Sequence, residues 1–204
     1  MATLDWPQTA HFKPSALSWG VNTPRSAWQA FYTGQRQSIS HLADRLRCTV
    51  TLPVVADREQ AAQREAFFFE AASAGHWLRL WHWHRQQPLG TLRGSPVLAA
   101  AAAAAARSLA VQTTPFATLL GGDMLSVGST LVMVGSAGAV ANSGGLMAAV
   151  PLALPLLRAA TAGAAVGWFR PTAEFQLETL SPTVEYGDGW LQEPLQLELT
   201  QVLA

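Results

Sequence analysis

The residues best able to do chemistry in this chain are histidines and tryptophans, gathered in one segment, His76-Trp77-Leu78-Arg79-Leu80-Trp81-His82-Trp83-His84. On a strand, His82 and His84 fall on one face, a spacing that can hold a metal ion. A zinc site needs a third or fourth ligand, and no Cys or acidic residue lies close in sequence to supply it. Trp81 and Trp83 would occupy the opposite face. An interface strand, aromatic on one side and amphipathic on the other, is therefore favoured over a metal site. The tryptophans could instead form a stacking platform for sugars or bases. Platforms for nucleic acid come with Lys and Arg, and here only Arg79 and Arg85 are near. Packing in a core or at a subunit interface is the stronger reading, because aromatics dominate both.

Other chemistry finds less support. Asp44, Asp57, Glu59, Glu65 and Glu70 are scattered, and Glu174, Glu178, Glu185 and Asp188 lie on apparent strands and loops. A carboxylate pair for glycoside cleavage would have to be built from distant residues. Ser126 and Ser129 lie near Gly128, without a G-x-S-x-G elbow. Gly121-Gly122-Asp123 is no phosphate loop, since no Lys-Ser/Thr follows and a strand comes next. Cys48 is the one cysteine, so no intramolecular disulfide forms. It sits in an alternating stretch as a small buried apolar residue, and nothing nearby lowers its pKa. No catalytic residue, cofactor or metal is expected.

The elements that position these residues follow from composition and pattern. With 204 residues, half of them apolar, the chain can bury a core without staples, as one domain or one domain carrying an inserted one. Charged residues make up 13%, about half the usual share. The 13 basic and 13 acidic residues balance, so the chain as a whole has no basic footprint for DNA or an anionic membrane. Low charge suits a surface buried in an assembly. No signal peptide is visible, and the absence of disulfides fits folding in a reducing cytoplasm. Residues 146–169 are the best membrane-span candidate, but Pro151, Pro155 and Arg158 interrupt them, and membrane insertion is not expected.

Strands are expected over 15–21, 35–42 (an edge strand after the aromatic run 28–32 and the turn at Gly34-Gln35), 46–52 and 77–83. In 46–52, Leu46, Cys48, Val50 and Leu52 alternate with Arg47, Thr49 and Thr51 and end at Pro53, the period of a half-buried strand. A helix is expected over 58–74. Asp57 caps it, with Gln60 three residues on. Ala61, Ala62, Phe68, Phe69 and Ala72 make its apolar face, and Gly75 stops it. Residues 86–90 mark a boundary. The eight alanines of 99–106 suit a short helix or a connector. From 107 to 175 short strands alternate with Gly-rich turns, with a short helix considered at 152–162. The last segment, 195–201, alternates Leu195, Leu197 and Leu199 with polar residues and completes a sheet begun near the N-terminus. The fold class is therefore mainly β with one α-helix. A β-sandwich-like domain, residues 1–87 plus 176–204, carries an inserted small β-barrel-like domain, residues 88–175.

A series of segments adds a resemblance. RSLAVQT at 107–113 is followed by Gly122-Asp123, the strand pair 125–134, PLALPLLR at 151–158 and the return WFRPTAEFQL at 168–177. The first half supplies 19–23, 34–37, 49–53, 61–69 and 75–80 in matching order. Together they resemble the distal tail proteins of siphovirus-like bacteriophages, within the minor tail proteins of the tail tip. The match covers most of the chain. The larger members carry a carbohydrate-binding extension, for which this chain has no room. The resemblance implies a structural, non-enzymatic virion protein, assembled in the host cytoplasm and resident in the virion tail. It would form a homo-oligomeric ring, a hexamer by family likeness, joining the tail tube protein to the tip hub protein. The tape measure protein and receptor-binding fibres are further candidate partners. Residues proposed for the subunit interface are Trp6, Phe12, Trp77, Trp81, Trp83, Leu195, Leu197 and Leu199. Alternatives from the same residues are another minor tail protein (a tube-completion or tip-hub component), a carbohydrate-binding module using the tryptophans, or a secreted or membrane-associated hydrolase.

Overall fold

The computed structural model describes residues 2–29, 31, 33–40, 44–178, 184–187 and 191–202; Asp188 and parts of the expected segments 28–32 and 35–42 lie outside them. Along the chain come β1 (Thr3–Asp5), β2 (Ala16–Asn22), β3 (Arg25–Gln29), β4 (Arg36–Ser40), β5 (Arg45–Thr51), α1 (Arg58–Ser73) and β6 (Trp77–Trp81). Short strands follow: β7 (Val97–Leu98), β8 (Ser108–Gln112), β9 (Thr118–Leu119), β10 (Met124–Val127), β11 (Thr130–Met133), β12 (Ala139–Val140), β13 (Leu146–Pro151) and β14 (Val166–Gly167). The longer β15 (Thr172–Leu177) and β16 (Gln196–Gln201) close the chain. Among the described residues the fold is mainly β with a single α-helix, and the chain divides into two compact units.

The first unit comprises Met1–Gly20, Leu46–Leu80 and Glu174–Val202. Its frame is one six-stranded sheet in the order β1-β6-β15-β16-β5-β2. β1 runs parallel to β6, while β16 lies antiparallel to both β15 and β5. The alternation of 46–52 is realised: Leu46, Cys48, Val50 and Leu52 are buried. Among the described residues one six-stranded sheet, with no second large sheet, replaces the sandwich expected for this part.

Helix α1 begins where its sequence signals place it. The Asp57 carboxylate accepts the Gln60 N–H at 3.0 Å, satisfying one of the donors a helix start leaves open. At the other end Gly75 adopts φ 60°, and His76 N–H reaches back to the Ala71 carbonyl at 3.0 Å, the backbone closure that a left-handed residue after a helix permits. The buried positions are Ala61, Arg64, Phe68 and Ala71, a stripe at helical spacing. Ala62 and Phe69 face out instead. The unexpected member is Arg64. It is fully buried because its guanidinium donates to the Pro53 and His11 carbonyls, groups that otherwise lose their hydrogen bonds on burial.

The second unit comprises Val21–Arg45, Trp81–Ala173 and Leu203–Ala204. β3 and β4 pair as a two-stranded hairpin. The remaining strands form small sheets ordered β11-β10-β14, β12-β9 and β13-β8-β7. They do not close into a barrel. One apolar core joins them, centred on Leu98, Leu109, Val111, Leu125, Val132 and Val150.

The alanine run and the 152–162 segment are both irregular, made of bends, turns and isolated bridges, and no helix forms in either. Ala102 and Ala160 exchange backbone hydrogen bonds at 2.8 Å, Leu156 N–H bonds Ala106, and Leu152 N–H bonds Arg107. A short alanine helix must meet the cost of nucleation with nothing to pack, whereas here each segment completes the other's backbone bonding. Among the described residues no helix is long and apolar enough to cross a membrane.

Candidate interface site

Of the residues expected at a subunit interface, most lie inside the first unit. Trp6 and Phe12 are buried; their rings meet edge-on with centroids 6.4 Å apart, and both pack on Phe68 of α1. The Trp6 indole N–H donates to the Phe12 carbonyl at 2.9 Å, so the N-terminal arm folds back on its own subunit. Leu195, Leu197 and Leu199 are buried as well, because β16 lies between β15 and β5. Trp77 is half-buried on β6.

Trp81 and Trp83 belong to a larger cluster in the second unit. Strand β6 stops at Trp81, and a turn closed by Arg85 N–H on the His82 carbonyl follows. The two indoles lie 5.4 Å apart by ring centroid. The Arg170 guanidinium sits 5.6 Å from the Trp81 ring and equally 5.6 Å from that of Phe169. Phe169 neighbours Trp168 at 5.9 Å, and Arg93 caps Trp168 at 5.1 Å. The result is a continuous stack of two cations and four aromatic rings, each step within the reach of cation–π or aromatic contact.

Hydrogen bonds hold the stack in place. Trp168 Nε1 donates to the Gly94 carbonyl at 2.8 Å. Arg170, at φ 44°, donates from Nε to the Gln86 side-chain carbonyl at 3.1 Å, and Gln86 Nε2 donates to the Trp83 carbonyl at 3.2 Å. Arg93 donates to the carbonyls of Pro88, Gly90 and Leu92. Sequence reasoning identified Trp81 and Trp83 but neither arginine. The available signal was the Trp168-Phe169-Arg170 triplet itself, a dense grouping of residue types that dominate binding hot spots.

The Gly122-Asp123 pair has a structural task beside this stack. Asp123 is buried, and its carboxylate accepts the N–H groups of Leu89 (2.8 Å), Gly90 (3.2 Å) and Leu120 (2.8 Å). Gly122 supplies the left-handed turn at φ 91°. The pair thus ties the 88–94 loop, which carries Arg93, to the strands around β9 and β10.

His82 and His84 remain neighbours, with ring centroids 6.3 Å apart. Among the described residues no group of three His, Cys, Asp or Glu is placed to hold a metal ion. Burial, with the adjoining Arg85 and His84 charges, pushes the His82 pKa down to about 4. Several of the carboxylates weighed for catalysis have structural partners: Glu174 pairs with Arg79 at 3.8 Å, Glu59 accepts from the Gln63 side chain at 3.3 Å, and Glu65 accepts the Tyr186 hydroxyl at 2.7 Å. Ser129 accepts from Arg158 at 2.6 Å. Cys48 is fully buried, which raises its thiol to about 12.

The fold and this stack define a mainly-β protein with a chain of cation–π and aromatic contacts from Trp83 to Arg93. No protein-family model and no curated protein matches the chain.

Proposed function

We propose that this chain is a structural subunit of a bacteriophage tail, forming an oligomeric ring at the distal tail end that joins the tail tube to the tip hub. The observation that carries this reading is the use made of the resembling segments. The Gly122-Asp123 turn and the Trp168–Arg170 return are both parts of the resemblance. Each is bonded to the 86–94 loop, and the polar side chains there hold backbone and aromatic rings in place. Arg and Trp are the residue types that anchor protein interfaces, and rings arise from heterologous contacts that close. Its partners would be further copies of itself, the tube protein and the hub protein, with the tape measure protein and receptor-binding fibres beyond them. A tube-completion or hub component would use the same constellation.

A sugar-binding platform needs an open aromatic face, and Arg170 lies over Trp81. That favours the assembly reading over a carbohydrate-binding module.

Negative-stain electron microscopy with light scattering of the purified chain, alone and mixed with its tube and hub proteins, tests the proposal. Closed rings, alone or on tube ends, are expected. A monomer that ignores both partners, and whose tryptophan fluorescence shifts with oligosaccharide, would replace it with the binding-module reading.

A further inference from the structure

The balanced charge of the chain conceals a partition that follows the two units. The first unit carries five Lys or Arg against eleven Asp or Glu, a net charge of −6. The second carries eight Arg against two Asp, a net charge of +6. Total composition hides this, and the chain shows it only in part. Residues 174–202 hold six Asp or Glu and no Lys or Arg, residues 81–173 hold five Arg and one Asp, and each unit is assembled from three such stretches.

The internal pairing sharpens the contrast. In the first unit Arg64 is buried on carbonyls, Arg47 pairs with Glu198, and Arg79 reaches Asp5 at 3.2 Å and Glu174 at 3.8 Å. In the second unit both acids are turned inward: Asp123 is buried on three N–H groups, and Asp44, with its side chain 16% exposed, lies 3.9 Å from Arg107. Arg85, Arg107 and Arg170 remain exposed.

Each unit also exposes an aromatic residue among its own kind of charge. On the solvent face of α1, Phe69 is 46% exposed next to Glu70, with Glu59 also outward and Arg58 the one exposed cation of the helix. In the second unit Phe169 is 58% exposed beside Arg170. An apolar anchor rimmed by charge is the anatomy of an interface centre and its border.

We propose that copies of this chain bind head to tail, the acidic α1 face of one copy docking on the basic Phe169–Arg170 corner of the next. The inference rests on reading the chain as a self-assembling subunit, and it names the two surfaces involved. The equal and opposite net charges favour a second copy over nucleic acid as the occupant. A basic unit evolved for phosphates gains nothing from an acidic partner unit of the same magnitude. A heterologous contact of this kind leaves one unsatisfied face of each type at the end of any open chain, so growth continues and ends in a ring where the rotation between copies closes.

The test is sedimentation velocity of the full chain, with salt as the first variable. The apparent dissociation constant for self-association should rise about tenfold or more between 50 and 500 mM NaCl, as screening shortens the reach of the charges. The variants Glu59→Lys/Glu70→Lys and Arg85→Glu/Arg170→Glu should each be monomeric at concentrations where the unaltered chain assembles; Arg85 is exposed and adjoins Gln86, which holds Arg170. Their equimolar mixture should regain assembly, since each then meets its complement. The salt series uses the unaltered chain, so it decides the matter even where an Arg170 variant folds poorly. Assembly that is insensitive to both salt and charge reversal would overturn this contact while leaving the ring reading intact. A monomer at low salt and high concentration would also overturn it. Salt-sensitive open chains that never close would support the contact and count against the ring.

Discussion

Gly90 and Asp123 are 33 residues apart and meet at a point where only glycine fits: Asp123 Oδ2 accepts the Gly90 N–H at 3.2 Å, and a Cβ on Gly90 would lie 2.2 Å from the Thr118 carbonyl oxygen. The loop therefore approaches β9 backbone to backbone, and the buried carboxylate replaces the water its N–H groups lose. Hydrogen bonds to a charged group contribute more than neutral ones, and breaking them leaves buried donors open.

Asp123→Ala should accordingly cost about 2–4 kcal/mol in urea denaturation. Asp123→Asn, which keeps the shape but turns one acceptor into a donor facing N–H groups, should recover less than half of that. Full stability in the Asn variant would mean the carboxylate is not what holds the loop.

Arg64 makes a second prediction. Removing its side chain opens two carbonyls, those of Pro53 and His11, in a buried place. Arg64→Ala and Arg64→Met should each lose roughly 2–4 kcal/mol, and Arg64→Lys should restore only part, because one ammonium lacks the planar fork that reaches two acceptors. A fully stable methionine variant would show that packing of the stem, not the guanidinium, is what matters.

Stability should also fall on mild acidification. His82 has its folded pKa lowered to about 4, so between that value and the unfolded value of about 6.5 the unfolded chain binds a proton that the folded one does not. The contribution is intact above pH 6.5 and is lost progressively toward pH 4, with a limit on the order of 3 kcal/mol. His11, lowered by burial and the Arg64 charge, acts in the same direction. Denaturation midpoints measured from pH 7.5 to 5 should decline, and His82→Gln should flatten most of that decline; an unchanged slope in the variant would assign it elsewhere.

Phe169 and Leu197 separate assembly from folding. Phe169→Ala removes an exposed ring, so thermal stability should stay within about 1 kcal/mol while self-association weakens. Leu197 is buried opposite Val50 in the middle of the sheet. Proline there deletes a ladder donor, and circular dichroism should report loss of the fold itself. An assembled, folded Leu197→Pro chain would contradict the sheet order.

Cys48 should be silent toward Ellman's reagent in the folded protein and react fully in denaturant. Its thiol is fully buried and its pKa is raised to about 12, leaving almost no thiolate at neutral pH. Rapid labelling under native conditions would place the first unit's core open on that timescale.

Local signals carried a good part of the fold. The Asp57 cap, Gln60 and the Gly75 stop define a helix through bonds that span only a few residues, and the period-two run from Leu46 to Leu52 needs only its own sequence to choose a buried face. The mainly-β class with one helix followed from those patterns. What depends on distant partners was not legible. Arg64 reads as a solvated helix charge until carbonyls 11 and 53 residues away are placed around it. Trp6 and Leu197 read as interface anchors until neighbours cover them, and the alanines suit a short helix or a connector alike until Ala160 lies beside Ala102. Charge is the clearest case. The sequence alone determines that thirteen cations meet thirteen anions, since composition is a sum that folding cannot alter. The stretches 81–173 and 174–202 already differ in sign along the chain, but which stretches share a unit, and so the totals of −6 and +6, was decided by the tertiary structure, because electrostatic fields depend on where charges lie in space and each unit is drawn from stretches far apart along the chain.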